Sequence, residues 1–552
     1  MRSLPVLGPV AVLFAALGVA CSSASPGSEG PPGSPDGTGS GSGTQVVSPG
    51  HDGGAPQGSG SGAHAGADAG DVVGHDGGVS IGSDAGGGGD PDGGAHGSGD
   101  AGLAPVPDSG TPTPVGAGLT KVGTGEYETF YLKDGVVYGI GTYGGTLGIG
   151  SINSEIALTP TPIAAPAGLL FLDVQGGLHQ SLAVDVNGTV WTWGDNALGQ
   201  AGVGTITGTV NLSPVHIETD SKGNAFDNVI AVASWETYDA ALKSDGTVWA
   251  WGDLTGGGAS GISGDGTTGS TVTRPTQIPV GNTSKVTKIL VAAMMMALTE
   301  DGTVYSWGND GSWQPSSDLG RGGNPLVPGV VTMPAGAAKI VDIALYGAGA
   351  YAVDENGVLY GWGVRTDYLG INSTDGHTQA TPVALHNLPH PVKSVVCSSD
   401  TAHAILTDGT LWGWGANGNG GAVGNGGTEV FQQPYANDWG PDESMVLTPV
   451  QIAPGVTFDT VWSNTPYTFY VYAMSTSGQL YSWGRNKTDV LGNGVYPVAA
   501  SGNGGAAANI AATYPNSWDV TLAAPVNPFT VTPKGELSPY CVANPSSSPC
   551  DE

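Results

Sequence analysis

The sequence predicts an all-β fold, a seven-bladed β-propeller, and two observations lead to that fold class. A short sequence motif recurs seven times between residues 134 and 484. It consists of a turn pair ending in Gly, a strand-like run, and then an aromatic residue or Ile followed by Gly. A Pro followed closely by Val or Ile also recurs once per unit, at a different position from that motif. The turn glycines lie 52 to 69 residues apart. Such self-similarity is typical of a repeat architecture.

Each unit is predicted to contain a β-hairpin. Asp-Gly and Asn-Gly favour a two-residue type I′ turn, because both central residues of that turn need positive φ. In the second unit the strands are expected over 181–184 and 189–193, and the second strand is apolar or small on both faces. A strand buried on both sides has that composition. The turn pairs are Asp134-Gly135, Asn187-Gly188, Asp245-Gly246, Asp301-Gly302, Asn356-Gly357, Asp408-Gly409 and Ser477-Gly478.

The proline elements predict the outer strand of each blade, because proline within sheets is confined to edge strands. With this strand included, the repeats account for seven complete units over residues 116–530. The domain organisation that follows is a signal segment (1–20), a linker (21–115), the propeller (116–530) and a C-terminal tail (531–552).

The second unit resembles the repeat of the regulator of chromosome condensation family. The resemblance is carried by Asn187-Gly188, Trp193-Gly194, Asn196 and Leu198-Gly199-Gln200, and similar units cover about three quarters of the chain. The first unit departs from the pattern, with Ile140 where Trp is expected. The resemblance implies a propeller. It also points to a secreted bacterial branch of the family that inhibits β-lactamases by presenting aromatic side chains from one propeller face.

The N-terminus predicts export and a lipid anchor. An apolar stretch over 10–20 precedes Cys21 and is too short to span a bilayer as a helix. Leu17 to Cys21 resembles a bacterial lipobox, so Cys21 is expected to carry the lipid, and Ser22 fits sorting to the outer membrane by the same resemblance. The alternative is an ordinary cleaved signal in which Cys21 has no role. The anchor would be the protein's only membrane attachment.

The linker is predicted to be a disordered tether, because it consists mainly of Gly, Ser, Ala, Pro and Asp and has no Lys or Arg. The whole chain has 47 acidic and 15 basic residues, a net charge of −32. Binding to a phosphate backbone needs clustered Lys and Arg, so no nucleic-acid partner is expected. Cys541 and Cys550 are expected to form a disulfide in an exported chain. Cys397 is interpreted as a buried small hydrophobe.

No catalytic constellation, cofactor motif or metal-ligand set stands out in the sequence, so we expect a non-enzyme without cofactor or metal. The recurring Trp residues could suggest a carbohydrate platform. Their recurrence at one position of nearly every unit favours packing between blades instead.

The function predicted is that of a monomeric, surface-tethered module that binds a protein on one propeller face. The alternatives are a glycan or cell-wall binder and a secreted inhibitor of the β-lactamase-inhibitory type. By position in the repeats and in a long insert over 425–446, the candidate partner-binding residues are Tyr127, His179, Trp235, Tyr238, Tyr346, Asp400, Phe431, Tyr435, Trp439 and Tyr467. Exposed aromatic residues are typical interface anchors.

Overall fold

The computed structural model describes residues 118–141, 146–150, 157–255, 261–281, 284–308, 319–346, 349–363, 366–372, 378–398, 401–417, 421–426, 445–463, 469–486, 490–493, 495–497, 520–531 and 534–536. Seven four-stranded antiparallel sheets form a seven-bladed β-propeller, as the repeats predict. The predicted signal segment and linker, with Cys21, and the C-terminal Cys541 and Cys550 lie outside the described residues. No helix of the described part is long and apolar enough to cross a membrane.

Every blade is built from one continuous stretch of chain, with its strands in sequence order from the inside outwards. Blades 1 and 2 comprise β1 (Leu119–Thr124), β2 (Glu128–Lys133), β3 (Val136–Gly141), β4 (Ala157–Pro162), β5 (Phe171–Gly176), β6 (Gln180–Asp185), β7 (Val190–Gly194) and β8 (Asn211–His216). Blades 3 and 4 comprise β9 (Val229–Ser234), β10 (Tyr238–Lys243), β11 (Val248–Asp253), β12 (Thr271–Ile278), β13 (Val286–Val291), β14 (Met295–Thr299), β15 (Val304–Trp307) and β16 (Gly329–Val330).

Blades 5 and 6 comprise β17 (Ile340–Tyr346), β18 (Gly349–Asp354), β19 (Leu359–Gly363), β20 (Gln379–Leu385), β21 (Val392–Cys397), β22 (Thr401–Leu406), β23 (Leu411–Ala416) and β24 (Met445–Ile452), with a 3₁₀ helix at Thr366–Leu369. Blade 7 comprises β25 (Phe458–Trp462), β26 (Tyr470–Ser475), β27 (Leu480–Gly484) and β29 (Val520–Val526). A separate parallel pair is formed by β28 (Val495–Pro497) and β30 (Lys534–Glu536).

The first strands of the blades form the inner ring, in which β1 contacts both β5 and β25. The ring therefore closes between blades 7 and 1 without a strand shared between the two ends of the propeller. The proline elements lie on or next to the fourth strands, where a missing N–H costs no sheet hydrogen bond. These prolines are Pro160, Pro162, Pro214, Pro275, Pro328, Pro382, Pro449 and Pro525.

The hairpins are present in all seven blades, but a type I′ turn occurs in the first blade only. There Lys133 pairs with Val136 across Asp134 and Gly135, whose φ angles are 52° and 78°. In blade 2, Asp185 N donates to Thr189 O and Gly188 N donates to Asp185 O, and among the residues between them only Gly188 has positive φ. This is a three-residue loop with glycine in the left-handed position. The other five blades repeat the pattern of blade 2.

A carboxylate stabilises the turn of blade 2. Asp185 Oδ1 accepts hydrogen bonds from the backbone N–H groups of Asn187 and Thr189, at 2.8 and 3.0 Å. Such side-chain to backbone bonds favour turns with an acidic or amide residue at the start. The prediction of type I′ turns in every blade was therefore wrong for six of them, although the hairpins themselves were correctly placed.

The recurring tryptophans pack between blades, as their periodicity predicts. Trp193, Trp251, Trp307, Trp362, Trp414 and Trp483 are all buried. The indole N–H of Trp193 donates to Thr146 O of the preceding blade at 2.6 Å, and that of Trp251 donates to Gln200 O at 2.8 Å. Two residues after each acceptor, a glycine with positive φ lies against the indole ring: Gly148 and Gly202. A fixed contact thus joins consecutive blades.

Buried ion pairs link inner strands of neighbouring blades. Lys288 Nζ lies 2.6 Å from Asp342 Oδ1 and donates to Ile343 O, while Asp342 Oδ2 accepts from Val395 N in the next blade. Lys121 and Asp173 form the corresponding pair between blades 1 and 2. Each aspartate therefore contacts two neighbouring blades in addition to its own.

Candidate functional site

The two ends of the propeller differ in how the strands are joined. We call the end that carries the connections from first to second and from third to fourth strands the loop face, and the end that carries the hairpin turns the turn face. The described propeller begins on the turn face, where Asp134 N of the first hairpin turn donates to Gly118 O at 2.8 Å. The loop face is thus opposite the point at which the preceding chain joins the propeller.

On the loop face, the loop before the second strand lies beside the segment that follows the third strand in blades 2, 3 and 7. In blade 2, Asp195 N, directly after Trp193-Gly194, donates to His179 O at 2.8 Å. The same bond joins Asp253 N to Thr237 O at 2.9 Å in blade 3 and Arg485 N to Phe469 O at 2.8 Å in blade 7. Each of these blades therefore presents one joined surface to solvent.

Tyr127 and His179 form a stacked pair across blades 1 and 2 on the loop face. Their ring centroids lie 6.3 Å apart with an interplanar angle of 6°. Both side chains are partly exposed. Partial burial lowers the pKa of His179, and the nearby Asp195 carboxylate opposes that shift. The structure therefore places two of the predicted partner-binding residues side by side at the surface.

Trp235 and Tyr238 are buried, which corrects the expectation that they are exposed on this face. Trp235 is 3% exposed, and Gln180 Nε2 of blade 2 donates to its backbone oxygen at 2.5 Å. Tyr238 is fully buried, and its hydroxyl donates to Ala292 O of blade 4. Both residues join one blade to its neighbour, so neither ring offers area to a partner in this conformation.

The remaining predicted partner-binding residues stay predictions. The backbone of Tyr346 ends β17, but its side chain lies outside the described part of the structure. Asp400, Phe431, Tyr435, Trp439 and Tyr467 lie outside the described residues altogether.

Two buried carboxyl groups lie directly under the loop face, and the sequence analysis did not identify them. Glu128 and Asp239 are both fully buried at the starts of second strands. Burial raises the pKa of Glu128 to about 8, which a hydrogen bond from Thr146 only partly offsets. Burial likewise raises the pKa of Asp239 to about 8 against hydrogen bonds from Ser234 and Gln180. Their signal in the sequence is an acidic residue at the start of a mainly apolar strand.

Little in the described part of the structure points to catalysis. His403 is buried, and burial lowers its pKa to about 4, so it is neutral at pH 7. Burial also raises the pKa of the Cys397 thiol, which lies at the end of an inner strand as the sequence predicts. Within the described ranges, no group of three His, Cys, Asp or Glu residues could hold a metal ion.

Comparison with known proteins supports the repeat assignment. The family model described as the regulator of chromosome condensation (RCC1) repeat matches residues 392–420, which fall in blade 6. The chain is 30% identical over 322 residues to the E3 ubiquitin-protein ligase HERC2 of Homo sapiens, a match that covers 57% of this chain and 6% of that protein. It is 27% identical over 358 residues to the ultraviolet-B receptor UVR8 of Arabidopsis thaliana, covering 63% of this chain and 72% of the receptor.

A solved structure of yeast RCC1 (Prp20) bound to Kap60 is similar in fold. The TM-score is 0.55 at 20% identity, and the match covers 77% of this chain and 90% of that one. The chain spans only 6% of the length of the human ligase, so the ligase's activity is not implied by the match. The blade order, the inter-blade tryptophans and these similarities show a seven-bladed β-propeller, in which residues 392–420 match the regulator of chromosome condensation repeat.

Proposed function

We propose that this protein is a non-catalytic recognition module whose loop face binds a protein partner. The observation that carries the proposal is the stacked pair of Tyr127 and His179, partly exposed at the junction of two blades. Rings of this kind bury a large area while losing little conformational freedom, which makes them effective interface anchors. Yeast RCC1 (Prp20), whose solved structure is similar in fold to this chain, was crystallised with the protein Kap60 bound to it.

Hydrogen bonds between the described loops of blades 1 and 2 support the same role. Backbone hydrogen bonds hold the loop of His179 to the segment after Trp193-Gly194, and Glu126 N donates to Gly177 O at 3.2 Å to join blades 1 and 2. A surface that is already ordered spends little free energy on ordering when a partner binds.

The proposed cellular setting is the exterior of a bacterial envelope. Lipidation at Cys21 would anchor the chain, and residues 21–115 would act as the tether. The described propeller begins on the turn face, at Gly118 beside Asp134, at the opposite end from the loop face. This arrangement suits the capture of a soluble or surface-exposed protein.

The experiment that tests the function is affinity capture from envelope and culture fractions with the full chain, followed by identification of the bound proteins. The test variant combines Tyr127→Ala and His179→Ala. The control combines Leu172→Ala and Ile230→Ala, which are 41% and 46% exposed on the turn face. A partner that the control retains and the test variant loses supports the proposal.

Two results would contradict the proposal. Equal capture by wild type and both variants would exclude the stacked pair from the interface. Retention on insoluble envelope polysaccharide with no enriched protein would indicate a glycan ligand instead. Each variant should first be checked for an unchanged unfolding midpoint, since loss of folding would also abolish capture.

A further inference from the structure

One sector of the loop face is strongly acidic. In blades 1 to 3, the described residues of this face, over 124–128, 146–150, 176–180, 195–210, 234–238, 253–255 and 261–270, include no Lys or Arg. We call Glu126, Tyr127, His179, Asp195 and Glu236 the acidic sector; all five are partly exposed and lie on the loop face of blades 1 to 3. The same ranges also contain the acidic residues Glu128, Asp253 and Asp265, and one of them ends at Tyr238, next to Asp239.

The acidic sector is one continuous surface across three blades. Glu126 N donates to Gly177 O, which joins the loop of blade 1 to the loop that carries His179. Gln180 Nε2 donates to Trp235 O, which joins that loop to the one that carries Glu236. Asp195 N donates to His179 O. The carboxylates of Glu126, Asp195 and Glu236 are therefore held on connected loops around a pair of aromatic rings.

Buried oxygen atoms under this surface provide a second observation. Glu128 Oε1 and Asp239 Oδ2 are buried and have no hydrogen-bond partner among the described residues. Glu128 Oε1 points at the loop itself, because it occupies the space that a side chain on Gly125 would fill. Buried acceptors without donors are rare and unfavourable. A ligand that brings positive charge to this surface would favour the ionised form of both carboxyl groups.

The chemistry of the sector favours arginine. A guanidinium group is planar, stacks on aromatic faces and donates paired hydrogen bonds to carboxylates. The rings of Tyr127 and His179, 6.3 Å apart between centroids, offer aromatic faces for stacking. The Asp195 carboxylate near His179 offers negative charge and hydrogen-bond acceptors. A lysine ammonium would gain the charge attraction but not the stacking or the paired geometry.

We propose that the acidic sector binds an arginine-containing basic segment of the protein partner, an inference that rests on the proposed protein-binding function of the loop face. Arginine is a frequent hot-spot residue in protein interfaces. Complementary charge would also raise the association rate and make it sensitive to salt.

The test uses three fluorescent peptides of equal length in a Gly/Ser background, which carry arginine, lysine or glutamate at the same positions. Binding to the full chain is measured by fluorescence anisotropy at low and moderate ionic strength. We expect the arginine peptide to bind more tightly than the lysine peptide and the glutamate peptide not to bind. The combined Glu126→Gln and Glu236→Gln variant should lower the affinity for the arginine peptide about tenfold.

The matched control combines Glu300→Gln and Glu355→Gln. Both residues are exposed in hairpin turns on the turn face, so this variant changes the net charge equally. It should bind the arginine peptide within about twofold of wild type, because charges beyond a Debye length are largely screened. An equal loss in both variants would indicate non-specific attraction to an acidic protein and overturn the proposal. Failure of the arginine peptide to bind wild type would overturn it as well.

Failure of this inference differs from failure of the protein-binding function. A captured partner that requires Tyr127 and His179 but binds the Glu126→Gln and Glu236→Gln variant normally would leave the function in place and exclude the arginine site. A partner lost from neither variant would exclude the acidic sector and its stacked pair from the interface.

Discussion

The phenolic oxygens of Tyr131 and Tyr472 lie 2.8 Å apart in the buried junction between the first and seventh blades. Tyr472 also donates to Val490 O at 2.6 Å, so Tyr131 is the donor to Tyr472. Gly492, two residues after Val490, lies against the Tyr131 hydroxyl with a φ of 60°. The other blades place a tryptophan in this position. Tyr131 therefore compensates for Ile140, which stands where the repeat has tryptophan, and the tyrosine pair closes the ring.

We expect Tyr472→Phe to destabilise the protein more than Tyr131→Phe. Loss of the Tyr472 hydroxyl leaves both Val490 O and the Tyr131 hydroxyl without this partner, whereas loss of the Tyr131 hydroxyl leaves the Tyr472 to Val490 bond intact. Buried hydrogen bonds of this kind are worth roughly 1 to 3 kcal/mol when one partner is removed. Urea unfolding of the two single variants and the double variant gives the coupling free energy. Tyr305→Phe, at a partly exposed ring in blade 4, is the control. If the destabilisations of the two single variants simply add in the double variant, the closure of the ring does not depend on the tyrosine pair.

Replacement of Gly148 by Ala should destabilise the protein more than replacement of Gly168 by Ala. Both glycines have positive φ, 68° and 82°, so both variants carry a backbone cost of about 1 kcal/mol. An added Cβ at Gly148 would lie 2.8 Å from the Trp193 ring, whereas nothing lies within 4 Å of the corresponding atom at Gly168. The extra overlap should cost a further 1 to 3 kcal/mol, about the usual effect of overpacking. Equal unfolding midpoints in urea would contradict the proposed contact between blades.

Removal of the carboxylate from the buried pair of Lys288 and Asp342 should destabilise the protein far more than removal of a carboxylate from an exposed pair. Asp342→Ala leaves the ammonium of Lys288, whose side chain is 4% exposed, without its carboxylate, at a cost of roughly 3 to 5 kcal/mol. Asp459→Ala removes the partner of Lys393 from a pair 4.0 Å apart and more than half exposed on both sides, at a cost of about 1 kcal/mol or less. The two variants change the net charge equally. Similar free energies of unfolding would show that the inner pair does not hold the blades together.

The fold could be predicted from the sequence because its signals are local and repeated. The hairpins, the outer strands with proline and the buried tryptophans each occur in nearly every unit, so periodicity identified their roles. The turn class could not be predicted from the turn pair alone. In blade 2 the turn is also stabilised by the carboxylate of Asp185, which lies outside the Asn187-Gly188 pair.

The candidate site was harder to predict than the fold, because the exposure of a side chain depends on the neighbouring blade. Tyr127 and Trp235 occupy comparable loops before second strands, yet one is partly exposed and the other is 3% exposed. Gln180 from the preceding blade contacts the loop of Trp235, and no local pattern encodes that contact. Contacts between repeats, such as that of Tyr131 with Tyr472, are separated by more than three hundred residues and vary from one blade to the next.

The buried carboxyl groups of Glu128 and Asp239 should make stability fall as pH rises. Burial raises the pKa of Glu128 from 4.5 to about 8 and that of Asp239 from 3.8 to about 8. Between those values the folded state holds protons that the unfolded state has lost, so increasing pH favours unfolding. The stabilising contribution is complete below about pH 4 and is lost progressively up to about pH 8, above which the dependence levels off.

The variant Glu128→Gln should remove the part of the pH dependence of stability that comes from Glu128. The amide stays neutral at all pH values and still accepts the hydrogen bond from Thr146. The difference in unfolding free energy between the variant and wild type should therefore rise with pH from about 4.5 to about 8, with a slope of at most about 1.4 kcal/mol per pH unit. Urea unfolding across this range measures it, with Glu300→Gln on the turn face as the control. A difference that stays constant with pH would show that Glu128 is already ionised in the folded protein.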